Sequence, residues 1–188
     1  MANGPRLVMD NVMYHITTRG NQKQTTFIED EDFEEYLDRV RRYKRKYSFS
    51  LYGYCLMPNH PHLVGEIEKK ENLSKFMQCL TRSYSAYFNH KYDKVGHLWQ
   101  GRFDNRIVMK DVYVVNCINY VELNPVRAGL VKLPHEYKWS SYVERVLRNE
   151  EPHPYRWGIL QFKLRLTRVL PPLIPHIPAD DCFVNAHR

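Results

Sequence analysis

The sequence has few cysteines, few glycines and prolines, and no long hydrophobic run. Its four cysteines, Cys55, Cys79, Cys117 and Cys182, lie far apart without a CxxC pair, which argues against a zinc ribbon and a disulfide framework. Eight glycines and 11 prolines in 188 residues exclude collagen-like and low-complexity chains. No stretch approaches the roughly 18 apolar residues of a membrane span, and the start MANGPRLVMDNV lacks the apolar core of a signal peptide. We therefore expect a soluble, cytoplasmic protein without a membrane partner.

Positive charge and aromatic residues are abundant instead. The chain has 28 Lys and Arg against 21 Asp and Glu, a formal net charge of +7, together with 14 Tyr. Cations attract phosphates and aromatic rings stack on unpaired bases, so nucleic acid is the favoured partner, and a basic surface that binds nothing is the alternative. The hydrophobic fraction of 43% predicts a folded chain. We assign residues 1–150 to one domain and residues 151–188 to a basic, proline-containing tail.

Hydrophobic periodicity predicts the element order β, α, β, β, α, β, α. Strands are expected at residues 12–18, 49–57, 60–67 and 105–109. Helices are expected at residues 29–47, after an N-cap at Asn72, and from a cap at Asp111 to an end at Pro125. This order fits the split βαβ pattern, an α+β, ferredoxin-like fold in which an antiparallel sheet carries two long helices on one face. The opposite face is left for a substrate and the third helix.

The tripeptide His60-Pro61-His62 is the first candidate site. Residues two apart in a strand share a face, so the two imidazoles are predicted to project together, close enough for one metal ion. Pro61 and Leu63 would then point into the core beneath the helices. Two histidines at this spacing also arise by chance, so the motif is weak evidence when taken alone.

A polar stripe on the third predicted helix is the second candidate. Its members recur at helical spacing and are Tyr113, Asn116, Tyr120 and Asn124. Tyr120 and Asn124 are one turn apart, so a phenol and a carboxamide are predicted to reach a common point. The alternative is that Tyr120 is an amphipathic core residue and that Asn124 merely precedes the helix-ending Pro125.

Two imidazoles and an amide oxygen suit a divalent cation with open coordination positions, Mg²⁺ or Mn²⁺. Such an ion would polarise a phosphate oxygen and orient the phosphate for in-line attack by a tyrosine phenolate. A covalent tyrosyl phosphodiester conserves the bond energy. Strand cleavage and later rejoining would therefore need no ATP.

Five motifs follow one another along the chain: YHITTRGN at 14–21, LMPNHPHLV at 56–64, GHLWQGRF at 96–103, NYVELNPVRAGLV at 119–131 and WSSY at 139–142. In sequence and in order they resemble the motifs of the single-tyrosine HUH transposases of the insertion-sequence type, and among them the REP-associated tyrosine transposases. That group consists of bacterial proteins that act on repetitive extragenic palindromes. The resemblance implies the HUH endonuclease fold, with the tyrosine-bearing helix near the sheet face opposite the long helices. It also implies a nucleoid-associated protein that acts as a monomer or a homodimer.

The same resemblance implies roles for individual residues. Tyr120 matches the nucleophile, and His60 and His62 match the metal ligands, although the middle position, ordinarily hydrophobic, is Pro61. Asn124 matches the third ligand, which is usually Gln in the insertion-sequence relatives and Asn in the REP-associated group. The implied reaction is attack on single-stranded DNA at a hairpin, with Mg²⁺ or Mn²⁺, which forms a 5′-phosphotyrosine link and releases a 3′-OH.

Residues near the presumed site are candidates for gripping DNA phosphates or stacking on unpaired bases. These candidates are Arg19, Asn21, Trp99, Arg102 and Arg106. Each also has an ordinary surface or packing explanation, and both explanations stay open at this point.

Two other functions compete with the transposase hypothesis. One is a module derived from such an enzyme that holds hairpins without cutting them. The other is a phosphoesterase with two HxT motifs, for which His15-Ile16-Thr17 offers the first. The second motif is absent because position 62 is His, so this function is disfavoured.

Overall fold

The computed structural model describes residues 8–108 and 112–147, and its strands form one antiparallel sheet in the order β2-β3-β1-β4. The strands are β1 (Val12–Thr17), β2 (Phe49–Met57), β3 (His60–Ile67) and β4 (Asp104–Val108). The helices are α1 (Asp30–Lys46), α2 (Lys70–Lys91), α3 (Val112–Glu122) and the single turn α4 (Asn124–Arg127). This order confirms the predicted α+β, split βαβ fold.

The sheet separates two hydrophobic clusters. On one face, Ile16 and Leu63 pack with the buried stripes of α1 and α2. On the other face, Met13 and Val64 pack against the apolar stripe of α3. Alternate residues of a strand point to opposite faces, which explains why neighbouring residues of β1 and β3 join different clusters. The two long helices thus share one face and α3 covers the other, as predicted.

Helical spacing of apolar residues accounts for the layer formed by α1 and α2. The buried residues are Phe33, Tyr36, Leu37 and Val40 in α1 and Leu73, Phe76, Met77, Leu80, Tyr84 and Phe88 in α2. Aromatic rings join the two helices, since Tyr36 and Tyr84 meet edge to face with their centroids 5.1 Å apart. These apolar stripes are therefore the contact between the two helices and the sheet.

The predicted N-cap of α2 is wrong. The helix begins at Lys70 rather than after Asn72, and its N-cap is Lys69, whose side chain makes no capping hydrogen bond. Instead, the backbone N–H of Lys70 donates to Oδ1 of Asp10, 2.7 Å away. A carboxylate from before β1 thus satisfies one of the free N–H groups at the start of α2.

The predicted helix end at Pro125 needs a correction. The third helix does end before this proline, at Glu122, but the chain continues into α4, which begins at Asn124 and contains Pro125 in its first turn. Proline is tolerated there because its missing N–H would have had no helical partner.

The other predicted strand and helix bounds agree with the structure to within one residue where they can be compared. The predicted cap at Asp111, the strand end at Met109, the domain end at residue 150 and the tail at 151–188 lie outside the described residues. Within the part of the chain that the structure describes, no helix is both long and apolar enough to cross a membrane.

Candidate active site

Three histidines lie together on the face of the sheet that α3 covers. His62 of β3 pairs with Thr17 of β1, and His15 pairs with Val64, so strand alternation directs His15, His60 and His62 to one face. The ring centroids of His60 and His62 are 4.8 Å apart. The structure therefore brings together the two imidazoles that the sequence predicted to share a face.

His62 makes one hydrogen bond through its ring and leaves the other nitrogen without a partner. Its Nδ1 lies 2.8 Å from Nε2 of His15, and both side chains are buried. The Nε2 of His62 is buried and has no hydrogen-bond partner among the described residues. A buried polar atom without a partner is uncommon in a folded protein and marks a place where a ligand can bind.

His60 is held in a similar way by its neighbour Asn59. Nδ1 of His60 lies 2.5 Å from Oδ1 of Asn59. A 180° flip of the Asn59 amide would break the hydrogen bond that its Nδ2 donates to the backbone carbonyl of Lys23. With the Asn59 amide in this orientation, Nδ1 of His60 carries the proton and donates, which leaves the lone pair of His60 on Nε2.

The three imidazoles are electrically neutral at neutral pH. Burial lowers the pKa of His15 to about 3, and the proximity of Arg106 and of the ionisable His60 lowers it in the same direction. Burial and the nearby Arg19 also lower the pKa of His60, and burial together with the neighbouring imidazoles lowers the pKa of His62 well below its usual value. Neutral imidazoles keep a lone pair, which is the form that binds a metal ion.

Tyr120 lies on the last turn of α3, partly buried against the cluster on that face of the sheet. The guanidinium carbon of Arg127 lies 4.5 Å from the centroid of its ring, and Nη1 of Arg127 donates to its backbone carbonyl at 3.2 Å. Because α3 packs on β2 and β3, the phenol belongs to the same side of the sheet as the histidines. The core does not enclose the tyrosine completely.

Asn124 is the first residue of α4, and its side-chain Nδ2 is buried with no partner among the described residues. The two ends of a carboxamide have nearly the same shape, so their assignment depends on hydrogen-bonding neighbours. A 180° flip of the Asn124 amide would place Oδ1 in that buried position. An amide oxygen is a ligand that hard divalent cations accept.

Within residues 8–108 and 112–147, no three His, Cys, Asp or Glu side chains are grouped so as to hold a metal ion. His15 is the third histidine of the cluster, but its Nε2 is occupied by the contact with His62. A site built on His60 and His62 therefore needs a third ligand of another kind. The sequence predicted Asn124 for this place, and one end of its amide is buried without a partner among the described residues.

Positive charge lies beside the histidine cluster. Arg19 is exposed and close enough to affect the pKa of His60, and Arg106 lies directly across from His15 in the pairing of β1 with β4. Arg106 also forms a loose ion pair with Asp104, at 3.5 Å. Arg102 is exposed in the loop before β4. These side chains make the surface beside the histidines positively charged.

The other two predicted DNA contacts lie in loops that bind each other. The backbone N–H of Asn21 donates to the carbonyl of Leu98, 2.8 Å away. The indole N–H of Trp99 donates to the carbonyl of Thr81, and its ring packs against Tyr84 with the centroids 5.9 Å apart. The contacts of Trp99 are thus those of a residue that packs against the protein itself. Asn21 connects the two loops through its backbone.

Two features of the site were not predicted. The contact of His15 with His62 follows from strand pairing, and strand alternation together with the antiparallel register is the signal that would reveal it. The second feature is Glu122, a fully buried carboxylate two residues after Tyr120 that is bound by Ser141 and Arg145. Its only sequence signal is a charged residue beside the apolar stripe of α3.

Comparison with known proteins agrees with this geometry. A protein of Haemophilus influenzae, provisionally named a REP-associated tyrosine transposase, is 24% identical over 169 residues, which are 84% of this chain and 94% of the other. A solved structure described as a REP-associated tyrosine transposase bound to a REP hairpin matches with a TM-score of 0.66 at 18% identity, covering 87% of this chain and 96% of that chain. That likeness confirms the predicted fold.

A family model described as "Transposase IS200 like" matches residues 8–124, which include His60, His62, Tyr120 and Asn124. The resemblance seen in the sequence motifs is thereby confirmed by relatives and by the family model. Because the match spans more than half of the chain, the protein belongs to the IS200-like transposase family.

Proposed function

We propose that the protein is a metal-dependent, single-stranded DNA endonuclease and strand transferase that acts at DNA hairpins of the REP type. The observation that carries the proposal is the imidazole pair of His60 and His62, 4.8 Å apart on the sheet face that the Tyr120 helix covers. The Nε2 of His62 adds a buried ring nitrogen that has no hydrogen-bond partner among the described residues. Membership of a transposase family supports chemistry on DNA.

His60, His62 and Asn124 would hold the divalent cation. The donor set fits, because neutral imidazole and amide oxygen are ligands that Mn²⁺ and Mg²⁺ accept, and the buried ends of His62 and Asn124 have no other partner among the described residues. When bound, the ion would withdraw electron density from a non-bridging oxygen of the scissile phosphate. The imidazoles and the amide would fix the position of that phosphate.

Tyr120 would supply the nucleophile. Its Oη forms a bond to phosphorus while the bond from phosphorus to the 3′ oxygen of the preceding nucleotide breaks. The phenol loses its proton and the departing 3′ oxygen gains one, so the products are a free 3′-OH and a 5′ phosphate joined to tyrosine. Attack of a 3′-OH on that linkage reverses the step, which gives strand transfer without ATP.

The DNA would be held by the basic residues around the histidine cluster. Arg19 and Arg106 flank His60 and His15, and Arg102 is exposed in the neighbouring loop. Phosphate contacts of this kind position a strand without reading its sequence. The hairpin as substrate is supported by the solved relative, which is described as bound to a REP hairpin.

The test is a covalent adduct between the protein and a labelled single-stranded DNA hairpin in the presence of Mn²⁺ or Mg²⁺. We expect the wild type to form an adduct that resists denaturation and Tyr120→Phe to form none. Tyr113→Phe is the matched control, because Tyr113 is an exposed tyrosine on the same helix, and this variant should react like the wild type.

The outcomes separate the competing functions. An undiminished adduct in Tyr120→Phe would exclude Tyr120 as the nucleophile. Tight hairpin binding by the wild type without any adduct would favour a hairpin-binding module that does not cut. His60→Ala should abolish the adduct and leave hairpin binding largely intact, since binding is spread over many cations.

A further inference from the structure

We propose that His15 is a positioning residue that fixes the tautomer of His62 by accepting a hydrogen bond from its Nδ1–H. The inference depends on the proposed function in one respect, namely that His62 binds a metal ion through Nε2. It assigns a role to a buried histidine of β1 that touches neither DNA nor the cation in the proposed reaction.

The geometry of the pair is that of a single direct hydrogen bond. Nε2 of His15 and Nδ1 of His62 are 2.8 Å apart, and the angle between the two ring planes is 7°. The side chains are only 6% and 8% exposed, so water does not compete for this contact. The backbone fixes both residues, because His15 pairs with Val64 and His62 pairs with Thr17 in the ladder between β1 and β3.

Two nitrogens that face each other this closely share one proton, and its location decides what His62 can do. If the proton belongs to His62 Nδ1, the lone pair of His62 is on Nε2 and is available to a cation. If it belongs to His15 Nε2, His62 carries its proton on Nε2 and has no lone pair there. The second arrangement would also leave a buried N–H donor without an acceptor, which folded proteins avoid more strictly than an unused lone pair.

The other proposed ligand, His60, has the same arrangement, and the orientation of the Asn59 amide gives the direction of its hydrogen bond. The Asn59 amide, oriented by the Lys23 carbonyl, accepts from Nδ1 of His60 and leaves the lone pair on Nε2. His15 and Asn59 would therefore act as a pair of acceptors that present Nε2 of both imidazoles to one cation. Outer partners of this kind commonly orient metal-binding histidines.

The tautomer can be measured directly in the wild-type protein without metal. Long-range ¹⁵N–¹H correlation spectra of histidine-labelled protein distinguish a protonated from an unprotonated ring nitrogen, and His62→Gln and His15→Gln assign the signals. We expect a protonated Nδ1 and an unprotonated Nε2 in both His62 and His15, because Nε2 of His15 is the acceptor in their hydrogen bond. A proton on Nε2 of His62 would overturn the proposal.

Substitutions of His15 test the consequence for metal binding, measured with Mn²⁺ by electron paramagnetic resonance. His15→Leu removes the acceptor and should weaken Mn²⁺ binding about 10- to 100-fold. His15→Gln places an amide oxygen near the former Nε2 and should recover most of the affinity. Met13→Ala is the control for damage to β1, because Met13 is buried on the same face of the same strand, and its affinity should match the wild type.

The results distinguish failure of this proposal from failure of the proposed function. Unchanged Mn²⁺ affinity in His15→Leu, beside measurable binding in the wild type, would overturn the role of His15 and leave the metal site standing. Absence of saturable Mn²⁺ binding in the wild type would overturn both. An equal loss of Mn²⁺ affinity in Met13→Ala and His15→Leu would show that damage to β1 causes the effect, which also contradicts the proposal.

Discussion

Arg145 and Glu122 form an ion pair that ties the tyrosine-bearing helix to the segment following it. Nη2 of Arg145 lies 2.6 Å from Oε2 of Glu122, and the carboxylate is fully buried two residues after Tyr120. The hydroxyl of Ser141 donates to the other carboxylate oxygen at 2.6 Å. The end of the helix that carries Tyr120, the proposed nucleophile, is thus bound by two residues, Ser141 and Arg145, that lie outside the family match at residues 8–124.

The ion pair predicts a specific pattern of stability. Arg145→Met should lower the free energy of unfolding by about 2 to 3 kcal/mol, because the buried carboxylate of Glu122 loses its counter-charge while Arg145 itself is partly exposed. The double variant Glu122→Gln with Arg145→Met removes that uncompensated charge and should recover part of the loss. Urea denaturation measures both, and a double variant less stable than Arg145→Met would contradict the prediction.

Gly53 allows α3 to approach β2 closely. A Cβ at this position would lie 2.9 Å from Cγ2 of Ile118 and 3.4 Å from the hydroxyl oxygen of Ser141. Ile118 is buried on α3, two residues before Tyr120. Any side chain at position 53 would therefore require a shift of Ile118 or of α3, the helix that carries the proposed nucleophile Tyr120.

Gly53→Ala should lower the free energy of unfolding by about 1 to 3 kcal/mol, the usual cost of overpacking a core. We also expect slower adduct formation with a DNA hairpin, because the shift of Ile118 is transmitted to Tyr120. In a double-mutant cycle, Ile118→Ala should make Gly53→Ala less harmful, since it removes the clashing atoms. Strictly additive effects on stability would show that Gly53 acts through its backbone instead.

Asp32 is a fully buried carboxylate at the start of α1. Its Oδ2 accepts hydrogen bonds from the backbone N–H groups of Ile28 and Glu29 and from the hydroxyl of Tyr92, and its Oδ1 lies 3.0 Å from Nζ of Lys91. Burial alone would raise the pKa of Asp32, but these donors outweigh it and lower the pKa. The charged form of Asp32 thus stabilises the folded state.

The lowered pKa predicts how stability depends on pH. The pKa of Asp32 in the folded state lies below its unfolded value of about 3.9. The contribution of Asp32 to the free energy of unfolding is therefore complete at neutral pH and is lost as the pH falls below about 5. Asp32→Asn should cost about 2 kcal/mol at neutral pH and flatten the acid side of the profile, measured by urea denaturation at several pH values. Asp38→Asn is the exposed control and should change stability by less than about 0.5 kcal/mol.

The parts of the fold that were predictable are those that depend on local periodicity. The face shared by His60 and His62 follows from the two-residue repeat of a strand, and the buried side of α3 follows from helical spacing. The partners of these elements were not predictable, because they are distant in sequence. His15 and His62 are separated by 47 residues, and Asp10 binds Lys70 across 60 residues.

Arg106 offers the sharpest test of how DNA is held. It lies across from His15 on β4, with its side chain 43% exposed. Arg106→Ala should weaken hairpin binding similarly for different sequences, and it should reduce the slope of log affinity against log salt by about one unit, as expected for one lost phosphate contact. Fluorescence anisotropy at several salt concentrations measures this slope.

Arg41→Ala is the matched control, because it removes one positive charge from α1 on the opposite side of the sheet, where Arg41 pairs with Asp38. If the loss of charge acts only through the net charge of the protein, both variants will weaken binding to the same extent. A larger effect at Arg106 alone means that the DNA backbone passes over the face that holds His60 and His62. Equal slopes in both variants would place the DNA elsewhere and remove Arg106 from the binding surface.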